Sequence, residues 1–204
     1  MNTTRASGAD RRRLPGGVDI WVFVLGDMLI FSAYFAAYLF ADRMRQPALF
    51  VASQQQLSQN LGFCNTLILL TSSLFVALGV HAAGRGDTRI ASRFIELGGA
   101  CGVTFLFVKS YEWYAKLTSG LTISSNAFFM HYYVMTGVHV VHILIGLTFL
   151  VVLWRELRFF ARAPDGALRH AATPRQTLIE AGGIYWHMVD FLWFLIFALL
   201  YLMR

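Results

Sequence analysis

The chain has 204 residues, of which 57% are hydrophobic and only 14% are charged. Because soluble domains carry about 25% charged residues, this composition indicates a membrane protein and excludes an ordinary soluble enzyme. The net charge of +6 does not indicate a nucleic-acid partner, since the basic residues lie between apolar segments and form no basic helix face.

The hydropathy pattern predicts two regions along the chain. Residues 1–17 form a polar, arginine-rich N-terminal tail, and residues 18–204 form one membrane domain. The first apolar segment, at about residues 20–41, is too long for the hydrophobic part of a signal peptide, so we expect an uncleaved transmembrane helix. Four more segments of spanning length follow at about residues 61–83, 92–117, 127–154 and 178–203. The predicted fold class is all-α, a polytopic bundle of five transmembrane helices.

Two connections between these segments carry local structural signals. In the first connection, Leu49, Phe50 and Leu57 could form a short helix at the membrane interface. Before the fourth segment, residues 122–126 supply turn residues and a helix N-cap.

The distribution of basic residues predicts the orientation of the chain. If the N-terminus is cytoplasmic, the tail and the cytoplasmic loops hold twelve arginines, whereas the opposite side holds four basic residues. The positive-inside rule therefore predicts a cytoplasmic N-terminus and a periplasmic C-terminus.

Five ionisable side chains lie deep inside the predicted helices. A rise of about 1.5 Å per residue gives them similar depths, roughly 10 Å for Asp27, 12 Å for His187, 16 Å for Asp190 and 18 Å for His142, with His139 one turn further out. Ionisable groups at such depths are costly unless they have partners. We therefore expect the five to meet inside the bundle as a polar brace, with Asp27 and Asp190 bonded to histidine or hydroxyl groups.

The fourth segment carries histidines on one helix face. His139, His142 and Gly146 are spaced i, i+3 and i+7, and His131 extends the face outward. Gly146 would allow a neighbouring helix to approach closely. The histidines are either hydrogen-bond partners between helices or ligands of a metal or haem, because two histidines three residues apart can chelate one ion. The spacing supplies no third ligand, which favours the first interpretation.

Lys109 and Glu112 are the charged pair of the third segment. Their i, i+3 spacing predicts a direct ion pair that makes both charges tolerable in the membrane. The alternative is an element of a gate or proton relay.

The last segment contains the densest group of polar and aromatic residues. His187 and Asp190 share one helix face, which Glu180 extends toward the cytoplasmic surface. Trp186 and Trp193 lie on a neighbouring face and are predicted to pack against other helices or against acyl chains.

Motifs on all five segments resemble one known family. They are GDMLIFS at residues 26–32, NTLILLTS at 65–72, SYEWY at 110–114, TGVHVVH at 136–142 followed by Gly146, and Glu180 followed by YWHMVDFLW at 185–193. In this order they resemble the cytochrome c oxidase subunit III family of the haem–copper oxidases, in its short five-helix form.

The resemblance implies a non-catalytic accessory subunit in a bacterial inner membrane. Such a subunit has no redox cofactor of its own, binds phospholipid and supports proton uptake in respiratory electron transport. Haem and copper or iron are then expected in its partner, catalytic subunit I, with subunit II as a possible further neighbour. The family's buried polar positions fall here on Asp27, Glu112, His139, His142, Glu180, His187 and Asp190.

Some features depart from the family's long form. We expect the short form, without the two additional N-terminal helices of the long form, and Lys109 stands where a neutral polar residue is expected. Together with the glutamine-rich first connection, Lys109 makes the chain resemble the subunit-III-like protein associated with nitric-oxide reductase. The predicted partner is accordingly a cytochrome c or quinol oxidase of the haem–copper type, or a nitric-oxide reductase.

Two other functional classes are compatible with the residues. A self-sufficient membrane haem or metal protein would use His131, His139, His142 and His187. A small proton channel would use Asp27 and the Lys109–Glu112 pair.

Overall fold

The computed structural model describes residues 14–160 and 172–203, so most of the predicted N-terminal tail and the centre of the last connection lie outside it. Its α-helices are α1 (Val18–Ala36), α2 (Pro47–Gln54), α3 (Gln59–Gly84), α4 (Thr88–Thr118), α5 (Ala127–Phe160) and α6 (Ala172–Phe197). Short π-helical segments continue two of them, Ala37–Arg43 after α1 and Ala198–Leu202 after α6. These two ranges contain no β-strand, and the all-α prediction is confirmed.

Five helical segments are long and apolar enough to cross a membrane, as predicted. They are Val18–Arg43, Gln59–Gly84, Thr88–Thr118, Ala127–Phe159 and Gln176–Leu202. The predicted end of the fourth segment at residue 154 was too early. Arg155, Glu156 and Leu157 are good helix formers, so the helix continues after the apolar sequence has ended.

Four of the long helices form the body of the bundle. Helix α3 packs against α4 and α6, and α5 packs against the same two helices, so that α3, α4, α5 and α6 form a closed ring of contacts. Helix α1 lies outside this ring and contacts α6. The largest hydrophobic core includes side chains of α6 together with those of α3, α4 and α5.

The predicted N-cap is present, and the predicted short helix is present in part. Helix α2 begins at Pro47, and its Phe50 is fully buried against the rings of Tyr38 and Phe128 (5.5 and 5.7 Å between centroids). Leu57 lies beyond the end of this helix. At the start of α5, the Asn126 side chain accepts a hydrogen bond from the backbone N–H of Phe129 (2.9 Å), which is the predicted N-cap.

A close contact with α6 positions the beginning of α1. Gly16 has a φ of 74°, and its backbone N–H donates to Glu180 Oε2 at 2.9 Å. A Cβ atom at Gly16 would lie 2.9 Å from Ile184 Cδ1, so only glycine fits both the backbone conformation and the space.

Candidate functional site

Trp186 of α6 is packed between two other helices. Its ring lies directly over Gly102 of α4 and Gly146 of α5, since a Cβ atom at either glycine would come within 2.8 Å of the indole. Its Nε1–H donates to Ser72 Oγ of α3 at 3.0 Å. This one side chain, which is fully buried, therefore contacts the three other helices of the ring, α3, α4 and α5.

Trp193, two turns further along α6, is the centre of a second buried cluster. Its ring contacts those of Phe105 (4.8 Å) and His139 (5.3 Å), and the Lys109 ammonium lies 5.2 Å from the ring centroid. The indole N–H donates to Thr66 Oγ1 at 3.1 Å. Both tryptophans thus pack within the chain and not against its outer surface.

The predicted ion pair of Lys109 and Glu112 is present, with 2.9 Å between Nζ and Oε2. Each side chain is only 1% exposed. Lys109 also donates to the hydroxyls of Tyr132 (3.2 Å) and Tyr201 (3.0 Å), and the Tyr201 hydroxyl donates to Glu112 Oε1 (2.7 Å). The charges are therefore compensated by a hydrogen-bonded network that joins α4, α5 and the segment after α6.

Asp27 of α1 meets His142 of α5, with 3.3 Å between Oδ1 and Nε2. The other ring nitrogen of His142, Nδ1, lies 2.8 Å from the carbonyl oxygen of Val138, to which it donates. The two ring nitrogens of His142 therefore contact oxygen atoms of α1 and of its own helix. The pair links α1 to α5.

His131 forms a second link between α5 and the first span. Its Nδ1 lies 2.9 Å from the Tyr34 hydroxyl and its Nε2 lies 2.9 Å from Asp42 Oδ2. The imidazole is almost completely buried, whereas Asp42 is partly exposed.

His187 and Asp190 lie where α6 meets α3. His187 Nδ1 is 2.6 Å from Ser73 Oγ. Neither carboxylate oxygen of Asp190 has a hydrogen bond of good geometry within the two described ranges, although the side chain is only 8% exposed. The expected hydroxyl partner of Asp190 is the neighbouring Ser73 side chain, which interacts with the carboxyl group without an ideal hydrogen-bond geometry.

His139 is fully buried but also lacks a polar partner. Neither of its ring nitrogens forms a hydrogen bond to any described residue, and the same holds for the side-chain amide of Asn65. The imidazole instead packs edge-on against Phe105 and beside Trp193.

The five groups of the predicted polar brace are consequently at three places and do not form one cluster. Asp27 and His142 pair between α1 and α5, His139 faces Trp193 inside the bundle, and His187 and Asp190 lie beside α3. Their similar predicted depths would have allowed the five side chains to contact one another, but the helices orient them toward different neighbours.

The histidines do not converge as the ligands of one metal would. His131, His142 and His187 contact different partners, and His139 packs against the rings of Phe105 and Trp193. In the part of the chain that the structure describes, no three His, Cys, Asp or Glu side chains are close enough to hold one ion. The residues of the alternative proton channel are also separated. Asp27 pairs with His142 between α1 and α5, whereas Lys109 pairs with Glu112 inside the bundle.

Glu180 and His187 are predicted to lie on one helix face, but their side chains contact different groups. Glu180 Oε2 accepts from the Gly16 backbone N–H, and Glu180 Oε1 accepts from Gln176 (3.0 Å). Glu180 therefore anchors the start of α1.

Several partners were not identified from the sequence. Tyr132 and Tyr201 complete the network around Lys109, and Ser72 and Thr66 accept from the two tryptophans. Thr66 and Ser72 are six residues apart, about 120° around the helix axis, so their spacing did not indicate a shared face. The positions of the two tyrosines gave no signal either.

These contacts can brace helices, and among the residues described they form no group of ligands that could hold a metal ion. The contacts of Asp27 with His142, of His187 with Ser73 and of His131 with Asp42 each join residues far apart in the sequence. Among the residues described, these side chains therefore form hydrogen bonds between helices.

Comparisons with known proteins agree with the motifs. Residues 12–204 match the family described as cytochrome c oxidase subunit III. Cytochrome c oxidase subunit 3 of Thermostichus vulcanus is 33% identical over 187 residues, covering 91% of this chain and 86% of that protein. Cytochrome bo(3) ubiquinol oxidase subunit 3 of Buchnera aphidicola is 25% identical, covering 90% and 91%. Heme-copper oxidase subunit I+III of Aeropyrum pernix is 31% identical, covering 90% of this chain and 22% of that longer protein.

Proposed function

The chain belongs to the cytochrome c oxidase subunit III family, and from that membership we propose that it is a non-catalytic accessory subunit of a haem–copper oxidase complex. Its partner is the catalytic subunit I, with subunit II as a further neighbour. Its task is to stabilise the catalytic subunit in a bacterial inner membrane, with the N-terminus cytoplasmic and the C-terminus periplasmic. The basic loops and the five spans support this placement.

The use of the polar side chains within the spans is the observation that carries the proposal. Lys109 with Glu112, Asp27 with His142, and His187 with Ser73 are each engaged in contacts between or within helices. A chain that catalysed electron transfer by itself would need ligands that converge on a cofactor. Haem and copper or iron are therefore assigned to the partner subunit, and none to this chain.

Support of proton uptake is assigned to the Asp27–His142 pair. It joins two titratable side chains between α1 and α5, and both retain some exposure, 14% for Asp27 and 13% for His142. Phospholipid is assigned to the outer surface of α1, where apolar side chains such as Val22, Leu25 and Leu29 are more than half exposed.

We propose an oxidase as the partner because the similar proteins are named as subunits of cytochrome c and ubiquinol oxidases. The association with a nitric-oxide reductase stays a prediction from Lys109 and the glutamine-rich connection. Assay of the purified complex with oxygen and with nitric oxide distinguishes the two.

Deletion of this subunit from the expressed complex tests the proposed function. The expected result is a smaller amount of assembled oxidase and faster loss of activity during turnover, with an unchanged haem spectrum per catalytic subunit. Reintroduction of the intact chain should restore both quantities. An unchanged amount of equally durable oxidase, or an altered haem spectrum, would contradict an accessory role.

A further inference from the structure

Helices α4 and α5 border an apolar groove on the outer surface of the bundle, toward the side of the membrane on which α4 begins and α5 ends. Its volume is about 260 Å³. The side chains that line it include Ile95, Gly99 and Val103 of α4 and Leu147, Val151 and Trp154 of α5. Glu96 lies at the rim, where it pairs with Arg158. We infer that this groove, the α4–α5 groove, binds an acyl chain of a phospholipid whose headgroup carries a primary ammonium group beside its phosphate.

The inference adds a headgroup-selective site to the lipid binding of the proposed function. It rests on that function only for the placement of the chain in a bilayer, and it holds whichever catalytic subunit is the partner.

The shape of the groove suits an acyl chain. It extends over seven residues of each helix, from Glu96 to Val103 and from Leu147 to Trp154, which is about two helical turns. Gly99 gives the groove its depth, because a Cβ atom at this position would have no atom within 4 Å. A transmembrane helix is about 10 Å wide, so a groove of this volume between two packed helices has room for a chain of methylene groups and not for a helix.

Three polar side chains meet at the rim. Glu96 Oε2 accepts from the Trp154 indole N–H at 3.3 Å and from Arg158 Nη2 at 3.2 Å. The Arg158 guanidinium group also lies 5.1 Å from the centroid of the Trp154 ring. Both charged side chains are substantially exposed, 55% for Glu96 and 43% for Arg158. An exposed ion pair of this kind contributes little to stability, so both charges are available to a ligand.

The charges at the rim select the headgroup. Trp154 indicates that the rim lies at the level of the lipid headgroups, where tryptophan is enriched. Phosphate accepts charge-assisted hydrogen bonds from a guanidinium group, and a carboxylate accepts them from a primary ammonium group. A headgroup with both charges therefore matches Arg158 and Glu96 together. A purely anionic headgroup would bring a second negative charge to Glu96, and a quaternary ammonium group has no N–H to donate.

A second groove, between α1 and α5, does not have this combination. Its volume is about 120 Å³, and the side chains that line it are uncharged: Ile30, Phe31, Tyr34, Val134, Met135 and Val138. The Tyr34 hydroxyl is already bonded to His131. Lipid in this groove would be bound without selection by charge, so the two grooves are expected to differ in headgroup preference.

Native mass spectrometry of the full-length chain tests the headgroup. The probes are phosphatidylethanolamine, phosphatidylcholine and phosphatidylglycerol with identical acyl chains. Phosphatidylethanolamine is expected to bind about tenfold more tightly than phosphatidylcholine, the effect of one hydrogen bond to a charged group. Glu96→Gln should remove this preference and leave the binding of phosphatidylcholine unchanged. Equal binding of these two lipids by the unmodified chain, or tighter binding of phosphatidylglycerol, would overturn the inference.

Gly99→Leu tests the location. The added side chain fills the groove without meeting another atom of the chain, so the preference for phosphatidylethanolamine should disappear while the unfolding temperature is retained. Gly137→Leu in α5 is the matched control, since its Cβ atom also has no neighbour within 4 Å but lies outside the groove. A preference that survives Gly99→Leu, or that Gly137→Leu abolishes equally, would overturn the assignment to this groove.

These outcomes are separate from the test of the proposed function. Lipid binding is measured on the chain without its partner, whereas the accessory role is measured by deletion from the complex. Loss of the complex on deletion together with equal binding of all three lipids would overturn this inference alone. A selective groove in a chain whose deletion changes nothing would overturn the accessory role alone.

Discussion

The first and last spans are attached to the bundle in opposite ways. In the apolar 18-residue stretch of the first span, Val18–Arg43, 11% of the residues are buried. In the corresponding stretch of the last span, Gln176–Leu202, 67% are buried. The first span is linked through hydrogen bonds at His131, His142 and Glu180. The last span is held by its packed tryptophans and by Tyr201, whose hydroxyl group is hydrogen-bonded to the buried Lys109–Glu112 pair.

The difference follows from the membrane environment. Burial of apolar side chains between helices gains little where lipid tails are equally apolar, so close packing and polar contacts determine association. A span with few packed residues depends on individual hydrogen bonds, and their loss affects that span alone. A central span depends on packing that several helices share, and its disturbance affects the whole bundle.

The substitution Lys109→Met should have the largest effect, because it leaves Glu112 buried without a cation. The expected loss of unfolding free energy is about 3–5 kcal/mol, measured by thermal or denaturant unfolding in detergent. The double substitution Lys109→Met and Glu112→Leu should recover much of this loss, since no uncompensated charge remains. A double variant as unstable as the single one would show that the network stabilises through something other than charge compensation.

Gly146→Leu should have the next largest effect. The added side chain would occupy the space of the Trp186 ring, which lies 2.8 Å from the position of a Cβ atom, so we expect a loss of about 1–3 kcal/mol. The control is Gly137→Leu in the same helix, where no atom lies within 4 Å of the added Cβ. Equal unfolding temperatures for the two variants would contradict the packing described for α6.

His142→Phe should have the smallest effect on the bundle. It removes the bond to Asp27, and bonds of this kind between membrane helices contribute on average about 0.6 kcal/mol. The change should appear mainly as faster labelling of a cysteine placed at Phe31, which packs beside the His142 ring. Thr148→Val is the control because Thr148 bonds only to its own helix. If His142→Phe lowered the unfolding free energy of the whole bundle as much as Lys109→Met does, the first and last spans would not differ in how they are attached.

The sequence was sufficient for features that depend on neighbours along one helix. The five spans, the Asn126 cap and the Lys109–Glu112 pair follow from hydropathy or from spacing, and all are present. Depth was a useful guide in one case, because Asp27 does meet His142.

Directions around the helices were not available from the sequence. His139 and His142 are three residues apart, which separates them by about 60° around the helix axis, enough for one to face Trp193 and the other to face α1. The contact of Tyr201 with Lys109 also depends on how the last span ends, in a π-helical segment that no residue pattern predicts. The brace therefore failed as a single cluster, because its members point in different directions from their helices.

The most direct test of the account is native mass spectrometry combined with an optical spectrum of the chain purified alone and in its complex. The account predicts that the tagged chain copurifies with a catalytic subunit whose haem accounts for the whole spectrum, and that the isolated chain binds no haem and no stoichiometric metal. Haem or metal bound to the isolated chain would contradict the claim that it serves a catalytic partner.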